Sequence, residues 1–179
     1  MIFIDNNIQL RQIESKDYNL LYNLMKEIYP QAYKHFWEDS GDWYVDKQYS
    51  KEHVLKELSQ ENADYYFILY KNEIIGNFRI VWGEKLKGLP QEKQVKLHRV
   101  YLHKKTHGKG IGKTLILWLE ELAKQKEYKI IWLDAMDCKS QALQFYKKLG
   151  YKYKSHILLP FDLMFLKLRK LSQLYKELI

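Results

Sequence analysis

The residues most able to do chemistry stand together at 95–114, where an apolar, β-branched segment (95–102) runs into a basic loop punctuated by Gly108, Gly110 and Gly112. A long amphipathic pattern, 110–126, follows directly, so the glycines stand at the start of a helix. The first N–H groups of a helix have no intrahelical partner, and the aligned peptide dipoles place about half a positive charge there. Glycine lets a ligand approach the backbone and permits positive φ. Lys104, Lys105, Lys109 and Lys113 add formal charge. Strand, glycine loop and helix in this order build a cradle for phosphate.

Three phosphate loops share those ingredients. The dinucleotide fingerprint G-x-G-x-x-G fails, because the spacing at 108–112 is G-x-G-x-G. A nucleotide P-loop needs G-x-x-x-x-G-K-[ST]; Gly112, Lys113 and Thr114 supply its end, but His107 stands where its first glycine belongs. The third is the pattern [QR]-x-x-G-x-[GA], met at 107–112 with His107 in the first position and Gly110 and Gly112 in the others. Further along, residues 142–151 read Ala-Leu-Gln-Phe-Tyr-Lys-Lys-Leu-Gly-Tyr, which fits A-x-x-[FL]-Y-x-x-x-G-[FY]. The two patterns are about thirty residues apart and are joined by a strand-like segment, 129–135. A P-loop protein has no reason to carry the second.

Together these segments resemble motifs A and B of the Gcn5-related N-acetyltransferases. The resemblance covers about 65–170 clearly and the first 60 residues only by arrangement. It implies an α+β fold with a central, mostly antiparallel sheet that splays beside motif A and is flanked by helices. It also implies acetyl-CoA as co-substrate, no metal, and direct attack of a primary amine on the thioester.

On the same footing, the backbone of Val100, Tyr101 and Leu102 would hold the pantetheine arm, with the Leu102 N–H supporting the oxyanion. The loop of His107, Gly108, Lys109, Gly110, Ile111, Gly112 and Lys113 would hold the pyrophosphate. Tyr146 would protonate the departing thiolate. Lys139 stands where the family often has a pantetheine-binding Asn; it either pairs with a phosphate or points to solvent. An ammonium near pKa 10 is no nucleophile, so a proton must first leave. His98 and Asp134 occupy positions where some members carry a base, and water alone serves in others.

Composition bounds the remaining classes. The 179 residues carry a net charge of +8, divided unevenly: 1–62 hold 7 Lys or Arg against 11 Asp or Glu, and 63–179 hold 23 against 11. The basic part contains the phosphate loop, which suits a coenzyme rather than nucleic acid, since no zinc spacing or RNP-like pattern accompanies it. No run approaches the roughly twenty apolar residues of a membrane span, and no signal-peptide pattern opens the chain, so a cytoplasmic enzyme of one domain, 1–179, is expected. The single Cys138 leaves no internal disulfide and no cysteine metal cluster.

The elements that position these residues follow from periodicity. A strand is expected at 7–13, then a helix at 16–28 capped by Ser15 and stopped by Pro30. Residues 31–48 are irregular or helical, and unusually aromatic and acidic. A helix capped by Ser50 runs to 58, and strands 63–70 and 73–82 form a hairpin around Lys71 and Asn72. A polar loop, 83–94, precedes the motif strand. A helix is expected at 140–149, strands at 151–158 and 161–168, and a helix at 169–179.

The aromatic, acidic stretch either faces a cationic acceptor, such as a polyamine, an aminoglycoside-like cation or a protein N-terminus, or is a packed cover over the sheet. Homodimers are common in the family. A non-catalytic acyl-CoA sensor on the same fold and a P-loop nucleotide binder are the other two readings.

Overall fold

A computed structural model describes residues 1–90 and 93–178. Eight strands form one sheet in the order β1-β2-β3-β4-β5-β6-β8-β7. In chain order they are β1 (Ile2–Phe3), β2 (Ile8–Gln12), β3 (Ala63–Tyr70), β4 (Glu73–Trp82), β5 (Gln94–Leu102), β6 (Ile130–Met136), β7 (Lys152–Leu158) and β8 (Lys170–Glu177). All neighbours are antiparallel except β5 and β6. The helices are α1 (Tyr18–Tyr33), α2 (Asp42–Gln48), α3 (Lys51–Leu58), α4 (Ile111–Gln125) and α5 (Ser140–Lys148). No helix is long and apolar enough to cross a membrane among the described residues.

Two apolar layers sandwich the sheet. One packs α4 and α5, through residues such as Ile111, Leu115 and Tyr146, on Leu97 and Leu133. The other packs α1, α2 and α3, through Leu21, Val45 and Val54, on Tyr65 and Phe67. Central β3 and β4 are therefore buried on both faces, which explains their near-continuous apolar runs. Their hairpin turns through Lys71 and Asn72, both at positive φ, as a tight two-residue connection with right-handed strand twist demands. Ser50 caps α3 by accepting from the His53 N–H at 3.2 Å, as its type and place predict.

Four expectations are corrected. Ser15 lies inside a 3-10 turn; Glu14 and Asp17 form the capping box there instead. Helix α1 continues through Pro30 to Tyr33. Proline near a helix end forfeits only its own N–H bond, and burial of Ile28 and Tyr29 holds the turn together. Residues 161–168 make no strand, only an isolated bridge between Met164 and Trp37 and a 3-10 turn, Leu166–Leu168.

The last segment is strand β8, inserted between β6 and β7, where a helix was expected. Its Leu, Lys, Gln and Glu residues favour helix in isolation. However, β6 needs a partner along its whole length, and Ser172 and Leu174 alternate into the core. The polar loop expected at 83–94 includes residues 91 and 92, and the expected final helix includes residue 179; all three lie outside the described residues.

Candidate active site

The parallel pairing of β5 with β6 runs from Gln94 and Ile130 only as far as Leu97 and Leu133. Beyond that point each strand keeps its outer neighbour, β5 through Leu102 and β6 through Met136, and the two part company. Strands that separate leave backbone N–H and C=O groups seeking partners. The gap opens into a cavity of about 340 Å³. Its walls are His98 to Tyr101 of β5, Leu133 to Met136 of β6, and Ala142 and Tyr146 of α5. Tyr29, Tyr33 and Tyr44 close it from the α1–α2 side.

The glycine loop lies where β5 ends. Gly108 and Gly110 have φ of 77° and 78°, and a Cβ on either would meet nothing within 4 Å. The glycines there answer a backbone requirement and leave open space beside the chain. Gly110 is the N-cap of α4 and supplies no side-chain cap, so the first N–H groups of the helix remain available. Gly112 has an ordinary helical backbone, with Leu102 Cδ1 at 3.7 Å and Phe145 Cζ at 3.9 Å from a hypothetical Cβ.

The loop is anchored to α1: His103 Nε2 lies 2.8 Å from Glu27 Oε1, and the Lys104 N–H donates to Gln31 Oε1 at 3.1 Å. Lys104, Lys105, Lys109 and Lys113 stay exposed around it. His107 is also exposed, its Nε2 3.3 Å from the Leu102 carbonyl. An uncapped helix start beside open space and four exposed cations fits a pyrophosphate.

Tyr146 is buried at the cavity wall, stacked edge-on against Phe145 and Tyr151. Burial raises its phenol above the ordinary value, so it stays protonated and is a donor at neutral pH.

The two base candidates lie on β5 and β6 as the sequence suggests, and both are engaged by other side chains. His98 is the extra residue of a β-bulge: Arg79 faces Arg99 and Ile80 faces Leu97, leaving His98 unopposed. Its Nδ1 is 2.6 Å from Arg79 Nη1. Burial, followed by the charges of Arg99, Arg79 and Lys96, pushes its pKa down to about 2. Asp134 lies in the cavity wall but is occupied, with Oδ2 3.0 Å from Lys96 Nζ and Oδ1 accepting from Gln173 Nε2 at 3.2 Å.

Lys139, for which the sequence suggested a phosphate partner or solvent, is half-buried and engages the protein itself. Its Nζ donates to the Ala32 carbonyl at the end of α1, 2.7 Å away, and lies over the rings of Tyr33 and Phe36. Cations suit a helix C-terminus.

Residues the sequence did not single out line the cavity, as Arg99 does, or engage those that do. Arg99 is 6% exposed, donates to Glu57 and lies over the Tyr49 ring. Arg79, 2% exposed, donates to Gln60 Oε1 at 2.6 Å and lies 3.9 Å from the same Glu57 carboxylate. His53 Nε2 is 3.4 Å from Glu57 as well. An Arg beside a His on the motif strand was the available signal, but alternation would have sent the two to opposite faces; the bulge brings both to the α1–α3 side. The acidic side chains of 38–46 do not line the cavity: Asp39 caps α2, and Asp42 and Asp46 engage Lys26 on the surface. Among the described residues no cluster of three or more His, Cys, Asp or Glu could hold a metal ion.

Known proteins share this fold. The model of the acetyltransferase (GNAT) family matches residues 19–151. A spermidine N(1)-acetyltransferase from Thermoplasma acidophilum is 28% identical over 149 residues, covering 82% of this chain and 89% of that protein. The crystal structure of the PaiA N-acetyltransferase from Thermoplasma acidophilum, in complex with coenzyme A, superposes with a TM-score of 0.72 at 21% identity, covering 95% of this chain and 98% of that one. RimL, a ribosomal L7/L12 alpha-N-protein acetyltransferase in complex with coenzyme A, gives a TM-score of 0.73 at 13% identity, covering 99% and 97%.

Proposed function

The chain belongs to the acetyltransferase (GNAT) family, and from that premise we propose that residues 1–179 act as one domain that moves an acetyl group from acetyl-CoA to a primary amine. The observation that carries this reading is the parting of β5 and β6 after Leu97 and Leu133, with the uncapped start of α4 beyond one end and the Tyr146 phenol in its wall. The N–H groups at 108–113 hold the pyrophosphate, and the parted backbone of Val100, Tyr101 and Leu102 holds the pantetheine amides. The amine nitrogen attacks the thioester carbon, the C–N bond forms and the C–S bond breaks. The Leu102 N–H supports the oxyanion, a contribution of roughly 3 kcal/mol for a well-placed donor. The thiolate leaves with the proton of Tyr146, and the phenolate recovers a proton from solvent to complete the cycle.

Neither His98 nor Asp134 is free to take the proton of the amine, because Arg79 and Lys96 already occupy them. Water accepts that proton in this reading.

The relatives support two acceptor classes, polyamines and protein N-termini. The aromatic wall of Tyr29, Tyr33 and Tyr44 would suit an ammonium through cation–π contact. Charge speaks against a second ammonium, since the carboxylate in the cavity wall, Asp134, is matched by Lys96.

The test is a thermal shift with acetyl-CoA, CoA and Mg-ATP in parallel, followed by thiol release with an amine panel. Stabilisation by both coenzyme forms and thiol release with an amine are expected. Coenzyme binding without turnover of any amine would make the protein a sensor, and a shift with ATP alone would return the loop to the nucleotide binders.

A further inference from the structure

Resting on the acetyltransferase reading, we propose that the acceptor is a small primary amine bearing a carboxylate, and that Arg99 and Gln48 seat that carboxylate.

Both residues line the cavity. The bulge at His98 turns Arg99 toward α3, where its Nη1 is committed to Glu57 and lies 3.4 Å from the Tyr65 hydroxyl. Its Nη2 is far less engaged, with Gln48 Oε1 at 3.4 Å, the outer limit of a hydrogen bond. Gln48 is a neutral side chain on the last turn of α2 and is half-buried. A ligand carboxylate placed at this edge gains a charge-assisted bond from the guanidinium and another from the Gln48 amide, once that amide turns its N–H₂ inward.

The charge balance requires an anion. Arg79 and Arg99 share the single carboxylate of Glu57, and His53 leans on that same carboxylate. Arg79 is otherwise bonded to neutral groups, His98 and Gln60. Asp134 is matched by Lys96, which also meets Glu84 at 2.9 Å. Lys139 is held by a carbonyl, with no carboxylate at ion-pair distance among the described residues. The walls therefore carry more cationic than anionic side chains in a partly desolvated space, where an unmatched charge is costly and its counter-ion is favoured. The distal ammonium of a polyamine would add to the excess; a carboxylate cancels it. The same excess favours the neutral form of the reacting amine, which is the nucleophile. A cavity of about 340 Å³ that must also take the acetylated end of the pantetheine arm leaves room for a small acceptor.

The experiment measures thiol release by the full chain at saturating acetyl-CoA, using amines paired by their carboxylate: L-lysine against cadaverine, and β-alanine against β-alaninamide. Spermidine and a peptide with a free N-terminus complete the panel. The carboxylated member of at least one pair is expected to show a kcat/KM about tenfold or more above its partner. Gln48→Glu, which places a rival carboxylate beside Arg99 at a half-buried position, should collapse that ratio toward one. Arg99→Lys should lower it too, and stabilisation by CoA should persist in both variants. Equal rates within both pairs, turnover of spermidine or the peptide alone, or a ratio that survives Gln48→Glu would overturn the proposal and leave the acetyltransferase reading standing. Coenzyme binding with no amine turned over would overturn both.

Discussion

The guanidinium of Arg79 donates to Nδ1 of His98 across 2.6 Å, and this contact fixes the tautomer of the imidazole. A guanidinium has no acceptor, so Nδ1 presents its lone pair and the ring proton sits on Nε2. Neither ring nitrogen can then take a proton from an amine. His98→Ala should therefore leave the pH profile of kcat/KM unchanged, with no inflection near 6.5 to lose. An inflection near pH 6.5 that the variant removes would show His98 to be the base.

Burial of His98, followed by the charges of Arg99 and Arg79, also sets a stability trend. The folded-state pKa of His98 is lowered to about 2, whereas an unfolded chain titrates near 6.5. Between those values the unfolded state binds the extra proton, so stability rises with pH and is lost as pH falls from about 6.5 toward 2. Urea melts at pH 7 and pH 5 should show a smaller loss in a folded His98→Asn variant than in the parent.

In the proposed reaction Tyr146 protonates the leaving group. Tyr146→Phe keeps the packing against Phe145 and Tyr151 and removes the proton. We expect kcat to fall about 10²-fold, the usual weight of a positioned acid, with coenzyme affinity unchanged by titration calorimetry. Loss of affinity with an unchanged rate would make the phenol a binding group.

Gly110 and Gly112 should separate sharply. Gly110 has a φ of 78°, so Gly110→Ala forces a side chain into the left-handed region at about 1–2 kcal/mol and weakens coenzyme binding as the cradle relaxes. Gly112→Ala meets only ordinary van der Waals contacts, with Leu102 of β5 and Phe145 of α5, and stability should hold or rise slightly. Thermal melts with and without CoA distinguish the two.

Gly76 supports the site from behind. A Cβ there would stand 1.9 Å from the Tyr101 carbonyl oxygen, a backbone atom of the strand proposed to hold the pantetheine arm. Gly76→Ala should cost about 1–3 kcal/mol in denaturant melts and lower coenzyme affinity, because β5 must move.

Glu57 is the only carboxylate that Arg79 and Arg99 share within ion-pair distance among the described residues. Glu57→Ala leaves two buried cations facing each other and should destabilise the fold by about 3–5 kcal/mol. Replacement at no cost would show that water already screens the pair.

By itself the sequence located the glycine-rich start of α4 and the Tyr146 of α5, which the structure sets at the end of β5 and in the cavity wall. Both are local: three glycines at a strand–helix junction, and a Tyr on one turn of an amphipathic helix, depend on spacing along the chain. The paired strands of the centre were legible for the same reason, through alternation and the Lys71–Asn72 turn. Only the tertiary structure decided what is free and what is occupied. The sequence left His98, Asp134 and water open as the base, and only the fold shows Arg79 engaging the first and Lys96 the second.

The bulge that turns Arg99 into the cavity adds one residue to a strand without changing its composition. The last segment carries helix-forming residues and became strand β8 because β6 offered an unpaired edge, and pairing across a sheet outweighs local propensity. The charge balance of the cavity belongs to this second kind of information. It depends on which charges remain unmatched after long-range pairing, a balance that spacing along the chain does not contain.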